Sequence, residues 1–168
     1  LLGAGLCGGS AFRLLNGFFR EVCAFIGEVS RDEMDGLMMD CAKRAYGKVE
    51  PARVTPLFRG TRRDPGLRGT IENLGMNNFT PASLVLGFYE GVCEEMRRAY
   101  DKFPKPAAAG GKLLLCGNAA RKNALLLKII EETFARRAHL SRYREEAAAG
   151  AALLAAAAFS SANTASYV

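Results

Sequence analysis

Apolar residues recur every three or four positions along most of this chain. Over 10–26, Leu14, Leu15, Phe18, Phe19, Val22, Phe25 and Ile26 fall on one broad face, which predicts a helix ended by Gly27. Ser30 followed by Glu33 is a capping-box pair, opening a helix to about Ala45 with Leu37, Met38 and Cys41 inward. Thr80 caps a third helix with Pro81 at its first position. It runs to about Phe103 and turns Val85, Phe88, Tyr89, Val92, Met96 and Tyr100 to one side. Residues 124–134 repeat the pattern through Leu125, Leu126, Ile129 and Ile130. A last, alanine-rich helix is expected over 144–159, followed by a disordered tail at 160–168.

Between these helices the rhythm shortens. Residues 113–116 read as a buried strand, 54–58 and 138–140 as weaker ones, and 1–6 as the end of a strand. Proline and glycine gather in 47–69 and 104–111, which read as irregular connections. Strands alternating with helices give an α/β class weighted toward helix.

A length of 168 residues with 49% apolar content allows one domain with a real core and excludes general disorder. The net charge is +6, yet Lys and Arg interleave with acids, as in EEMRRAYDK, so solvated helix faces are expected. Nucleic acid is therefore not the expected partner, and a basic nucleic-acid-binding domain stays an alternative. The exception is 47–69, where Arg53, Arg59, Arg62, Arg63 and Arg68 cluster; a solvated loop is favoured over the edge of an anionic site. Five cysteines, odd in number and without CxxC spacing, suit reduced, mostly buried thiols and a cytoplasmic location. His139 stands alone, which excludes an ordinary zinc site. The alanine-rich run is too short to span a membrane, so a packed helix is expected there. The first residues lack a basic n-region, and a start at Leu1 suggests a fragment truncated at its N-terminus.

Two motifs carry candidate chemistry. Gly3, Gly5 and Gly8 satisfy GxGxxG, but no second strand follows, so they are expected only to let a strand turn into a helix. KLLLCGNAARKN at 112–123 is a strand, a glycine turn and a helix start, where unpaired N–H groups can face a nucleotide. Gly117 lets the backbone pass close to a flat ligand, and Asn118 and Asn123 can hydrogen-bond ribose or adenine edges. Arg121 and Lys122 are within reach of phosphates, although solvent exposure is their expected state. Glu145 and Glu146 complement the start of the last helix, and Gly150 lets that helix approach another backbone or an adenine face. Ser10, Ser141 and His139 show no triad-like context, and a salt bridge accounts for Asp64.

Five segments occur in one order: LCGGSAFRLLNGFF, PLFRGTRRDPGLRG, FTPASLVLGFYEGV, LCGNAARKNALL and EEAAAGAALLAA. Together they resemble the C-terminal domain of the FGGY carbohydrate kinases, and within them the sedoheptulokinase-like branch, over about residues 1–159. Asn73, Ser83, Gly87 and the Gly117–Asn118 turn depart from that family's usual pattern. The resemblance implies an actin-like, ribonuclease-H-like ATPase fold, with this chain as the nucleotide-binding half of a two-domain sugar kinase. It implies ATP and Mg2+ as cofactors, a ketose as substrate and a missing N-terminal domain as partner. It places Gly117, Asn118, Ala119 and Asn123 on the adenosine-binding turn and Gly150 on the helix beside it. The catalytic aspartate and first phosphate loop would lie upstream, leaving no catalytic residue and no metal ligand here. A non-catalytic actin-like regulatory or assembly module is the competing reading, and a homodimer is left open.

Overall fold

The cap of the second helix forms as its sequence dictates. Ser30 Oγ accepts from the Glu33 N–H at 3.3 Å, and the Glu33 carboxylate accepts from the Ser30 N–H at 3.0 Å. The computed structural model describes residues 8–103 and 112–165. The expected strand at 1–6, Gly3 and Gly5 of the glycine motif, and the connection at 104–111 lie outside the described residues. Helices α1 (Gly8–Cys23) and α2 (Arg31–Ala45) come first. Strands β1 (Arg53–Thr55) and β2 (Thr70–Glu72) pair antiparallel, with Val54 opposite Ile71. Helix α3 (Pro81–Asp101) follows, its Thr80 side chain accepting from the Ser83 N–H at 3.2 Å. Strands β3 (Leu113–Leu115) and β4 (Ala138–Leu140) pair in parallel, with Leu114 opposite His139. A parallel pair needs a crossover; here α4 (Asn118–Lys122) and α5 (Ala124–Phe134) supply it. Helix α6 (Glu146–Ala165) ends the described chain.

Helix α3 is the centre of the core. Val85, Leu86, Phe88 and Cys93 are buried on it, against Met34, Met38 and Ala42 of α2 and Leu126, Ile129 and Ile130 of α5. Burial pushes the Cys93 thiol up to about 12, so it stays a neutral core residue. Its other face carries Gly87 and Gly91 one turn apart. A methyl on either would lie 2.1 Å from a backbone oxygen, of Ala52 and Val54 respectively, so only glycine permits this seam. Buried Ser83 closes its end: Ser83 Oγ donates to the Glu50 carbonyl at 2.9 Å, and the Ala52 N–H donates to the Ser83 carbonyl at 3.2 Å.

Several expectations are corrected. Helix α1 ends at Cys23, short of the expected Ile26, so Phe25 and Ile26 fall in the following turn, 86% and 93% exposed; on the broad face of the helix itself Leu15 is buried and Leu14, Phe18 and Val22 are half exposed. Helices α2 and α3 cover only one edge of that face. On α2 the seam runs through Met34, Met38 and Ala42 at i, i+4 spacing, which turns Leu37 outward. Strand β2 has no counterpart in the sequence pattern. Cys93 is buried, whereas Cys23 and Cys41 are half-buried and Cys116 is exposed. Helix α6 runs into the expected tail, and its residues 151–159 are exposed instead of packed.

Candidate nucleotide site

The turn after β3 has a conformation that its sequence explains. Gly117 sits at φ +98° and ψ 160°, a region essentially restricted to glycine. A methyl there would meet nothing within 4 Å, so the glycine serves backbone shape and leaves the outer side open. Asn118 begins α4, which is only five residues long, so its dipole contributes little. The expected group of unpaired N–H donors is also smaller than anticipated. The Gly117 N–H donates to the carboxylate of Glu146, in the first turn of α6.

Arg121 bolts this corner together, against the expectation of solvent or phosphate. Its guanidinium is 2.7 Å from the Glu146 carboxylate and donates to the carbonyls of Ser141 and Tyr143. The Arg121 hydrogen bond, followed by N–H donors of Glu146 itself and Gly117, holds the Glu146 carboxyl below its ordinary value. Gly150 lies one turn further along α6, half-buried, and a methyl on it would meet nothing within 4 Å. The close approach expected at Gly150 is therefore not made to any described residue.

On the other side of α4 a groove of about 360 Å3 opens between α1, α2, α3 and α5. Ala119, Lys122 and Asn123 line it from one side, Phe12 and Tyr89 from another, and Asp32, Asp35, Met38 and Met39 from α2. That volume suits a small ligand with one flat face. Asn123 is largely committed within it: its Oδ1 accepts from the Leu126 N–H at 3.1 Å, capping α5, and its Nδ2 donates to the Tyr89 hydroxyl at 2.8 Å. The contact expected between this amide and a nucleoside is thus replaced by a structural one. The Tyr89 ring packs edge-on to Phe12, and burial pushes its phenol up. Because its oxygen accepts from Asn123, its own hydrogen remains available.

Ala119 and Asn123 therefore share the groove, while Gly117 turns toward the helix that carries Gly150. The sequence reading missed the α2 wall and the Arg121–Glu146 bolt, whose partners are 25 residues apart. In the arginine-rich loop, Arg68 folds back onto the carbonyls of Pro65, Gly66 and Leu67, and Arg59, Arg62 and Arg63 are exposed. Asp64 makes no salt bridge among the described residues; it accepts from the Gly66 N–H at 2.9 Å and shapes the turn. No group of three His, Cys, Asp or Glu among the described residues is placed to hold a metal ion. No helix among them is long and apolar enough to cross a membrane.

Comparison with known proteins supplies the wider frame. No curated protein matches the sequence. Among solved structures, the chain is similar to the xylulose kinase from Rhodospirillum rubrum, with 18% identity and a TM-score of 0.63 over 79% of this chain. It spans 25% of that chain, about a quarter of its length. The likeness shows the fold, a helix-rich part of an actin-like, ribonuclease-H-like architecture. Residues 7–159 match the model of the FGGY family of carbohydrate kinases, C-terminal domain. By that match, over nearly its whole length, the chain belongs to the FGGY family of carbohydrate kinases.

Proposed function

We propose that this chain is the nucleotide-binding half of a cytoplasmic, ATP-dependent ketose kinase, sedoheptulose-like in its sugar. The observation that carries the reading is the Gly117 turn, held in a glycine-only conformation with open space where a side chain would stand. Gly117, Asn118 and Ala119 form the cradle, Asn123 supports it from below through Tyr89, and Gly150 lies on the neighbouring helix. The groove, with Ala119 and Asn123 in its lining, is large enough for the nucleoside of ATP, and Lys122 beside them offers a cation to its phosphates. They do not fit a resident Mg2+, since no carboxylate cluster among them could hold it; the ion would arrive with the phosphates. Xylulose, named for the similar structure, and sedoheptulose are both ketoses.

The parent reaction moves the γ-phosphoryl of ATP to a sugar hydroxyl. Such transfer is mostly positioning and electrostatic stabilisation. This half would grip the nucleoside and wall one side of the cleft, and the other half would supply the base. Closure of the two halves would exclude water as a competing acceptor. The apolar residues exposed on α1 and α6 give such a second half a surface to cover. Two measurements test the reading. The chain alone should give no turnover of sedoheptulose or xylulose in a coupled assay, and turnover by it would place the base within these residues. Calorimetry should show that Gly117→Val weakens ATP binding at least about tenfold, the equivalent of 1.4 kcal/mol. Equal affinity of the two proteins would remove Gly117 from the site and leave the non-catalytic module as the better reading.

A further inference from the structure

The groove lined by Ala119, Lys122 and Asn123 has a polarity that selects which end of a nucleotide enters it; this inference rests on the reading of the groove as the nucleoside site. Met38 and Leu126 are buried and form its floor, with Phe12 and Met39 beside them. Its α2 rim carries Asp32 and Asp35, three residues apart and therefore neighbours on one helix face. Both are exposed. Asp35 Oδ1 accepts from Asn16 Nδ2 at 2.6 Å, and buried Asn16 also donates to the Arg31 carbonyl at 3.0 Å, so the Asp35 side chain is fixed. The Asp32 side chain takes part in no hydrogen bond or ion pair among the described residues.

Ionised carboxylates only accept hydrogen bonds, so this rim offers oxygen atoms that call for donors. It also repels phosphate, so the triphosphate end belongs away from this rim, on the side of Lys122, which lines the groove with Ala119 and Asn123. A flat base belongs on the apolar floor. The group left at the level of the carboxylates is the ribose, whose 2′ and 3′ hydroxyls present two adjacent O–H donors. We propose that Asp32 and Asp35 bind the 2′,3′-diol of the ATP ribose, with Asn16 as the positioning residue that orients Asp35. The rim then discriminates ribonucleotides from nucleotides that lack the diol, while the base rests on the apolar floor beside the Tyr89 hydroxyl.

The test uses the full 168-residue chain, with ATP and 2′,3′-dideoxy-ATP as probes in calorimetry. The expected result is binding of ATP about tenfold or more tighter than the dideoxy analogue, since hydrogen bonds to charged groups are the stronger class. In Asp32→Asn and Asp35→Asn the gap should narrow, because the neutral amide accepts more weakly. Asn16→Ala should narrow it as well, with the ATP–dideoxy ratio falling while the fold, followed by circular dichroism, is retained. Equal binding of the two probes by the unaltered chain overturns the diol assignment and leaves the nucleoside site standing. A gap that persists unchanged in both aspartate variants overturns it too, placing the diol reader elsewhere. No ATP binding at all overturns both this inference and the site it rests on.

Discussion

Replacing Gly91 by alanine tests the packing on which the fold depends. The new methyl carbon would lie 2.1 Å from the Val54 carbonyl oxygen. Close C···O contacts normally fall at about 3.3–3.6 Å. Helix α3 and the 52–54 segment would therefore have to separate by roughly 1.2–1.5 Å, the difference between those distances. That movement loosens Val54, Phe88 and Val92, all buried, and stretches the bond from the Ala52 N–H to the Ser83 carbonyl, already 3.2 Å. Overpacking of a core costs about 1–3 kcal/mol, or more. Alanine returns up to about 1 kcal/mol of helix propensity. With the full propensity gain, the expected net loss is about 0–2 kcal/mol, from those two figures. Gly87→Ala should behave alike, and the double variant should cost less than the sum, because one displacement relieves both clashes. Gly36 on α2 supplies the control: a methyl there meets nothing within 4 Å, so Gly36→Ala should gain about 0.5–1 kcal/mol. Urea unfolding followed by circular dichroism measures all four variants. Were Gly91→Ala to gain stability as Gly36→Ala does, the close seam between α3 and β1 would be wrong.

Two further predictions concern titration. Glu146 has its folded pKa lowered, chiefly by Arg121, so its contribution to stability is complete above its ordinary value of 4.5 and is lost as pH falls through the lowered value. Comparing urea midpoints of the unaltered chain and Glu146→Gln across the acid range should show their difference shrinking as pH falls; a constant difference would refute the ion pair. The Tyr46 phenol is pushed up to about 12 by its hydrogen bond to the Glu132 carboxylate and by burial. Its stabilising effect is present below 10 and disappears as pH rises through about 12. Ultraviolet titration should find this late tyrosine, and Glu132→Ala should bring it back toward 10; an unchanged titration would discount the bond.

Features set by neighbours in sequence were the legible ones. Ser30 with Glu33, and Thr80 with Pro81, mark helix starts because capping is a contact over three residues. The sequence marks Gly117 as a place where the backbone passes close to a flat ligand; in the structure the glycine is explained by its φ of +98°, with nothing within 4 Å of where a side chain would stand. Asn123 was read as a ligand contact, although an asparagine directly before an apolar helical run is also a cap signal, and the structure uses it so. Gly87 and Gly91, one turn apart in an apolar helix, were a readable sign of close backbone approach. Arg121 and Glu146 gave no such sign, since nothing local links positions 25 residues apart. The exposed face of α1 shows the opposite limit: its apolar pattern is real, but periodicity names no partner, and the described residues supply only part of one.

The central claim is that a nucleoside sits on this chain between the Gly117 turn and the α2 rim. Backbone amide shifts of the isotope-labelled chain, recorded while ATP is added, test it most directly. The predicted result is a set of saturable changes at Gly117, Asn118 and Ala119 and around Asp32, Asp35 and Tyr89. Changes confined to the arginine loop at 59–63, or no changes at all, would contradict it.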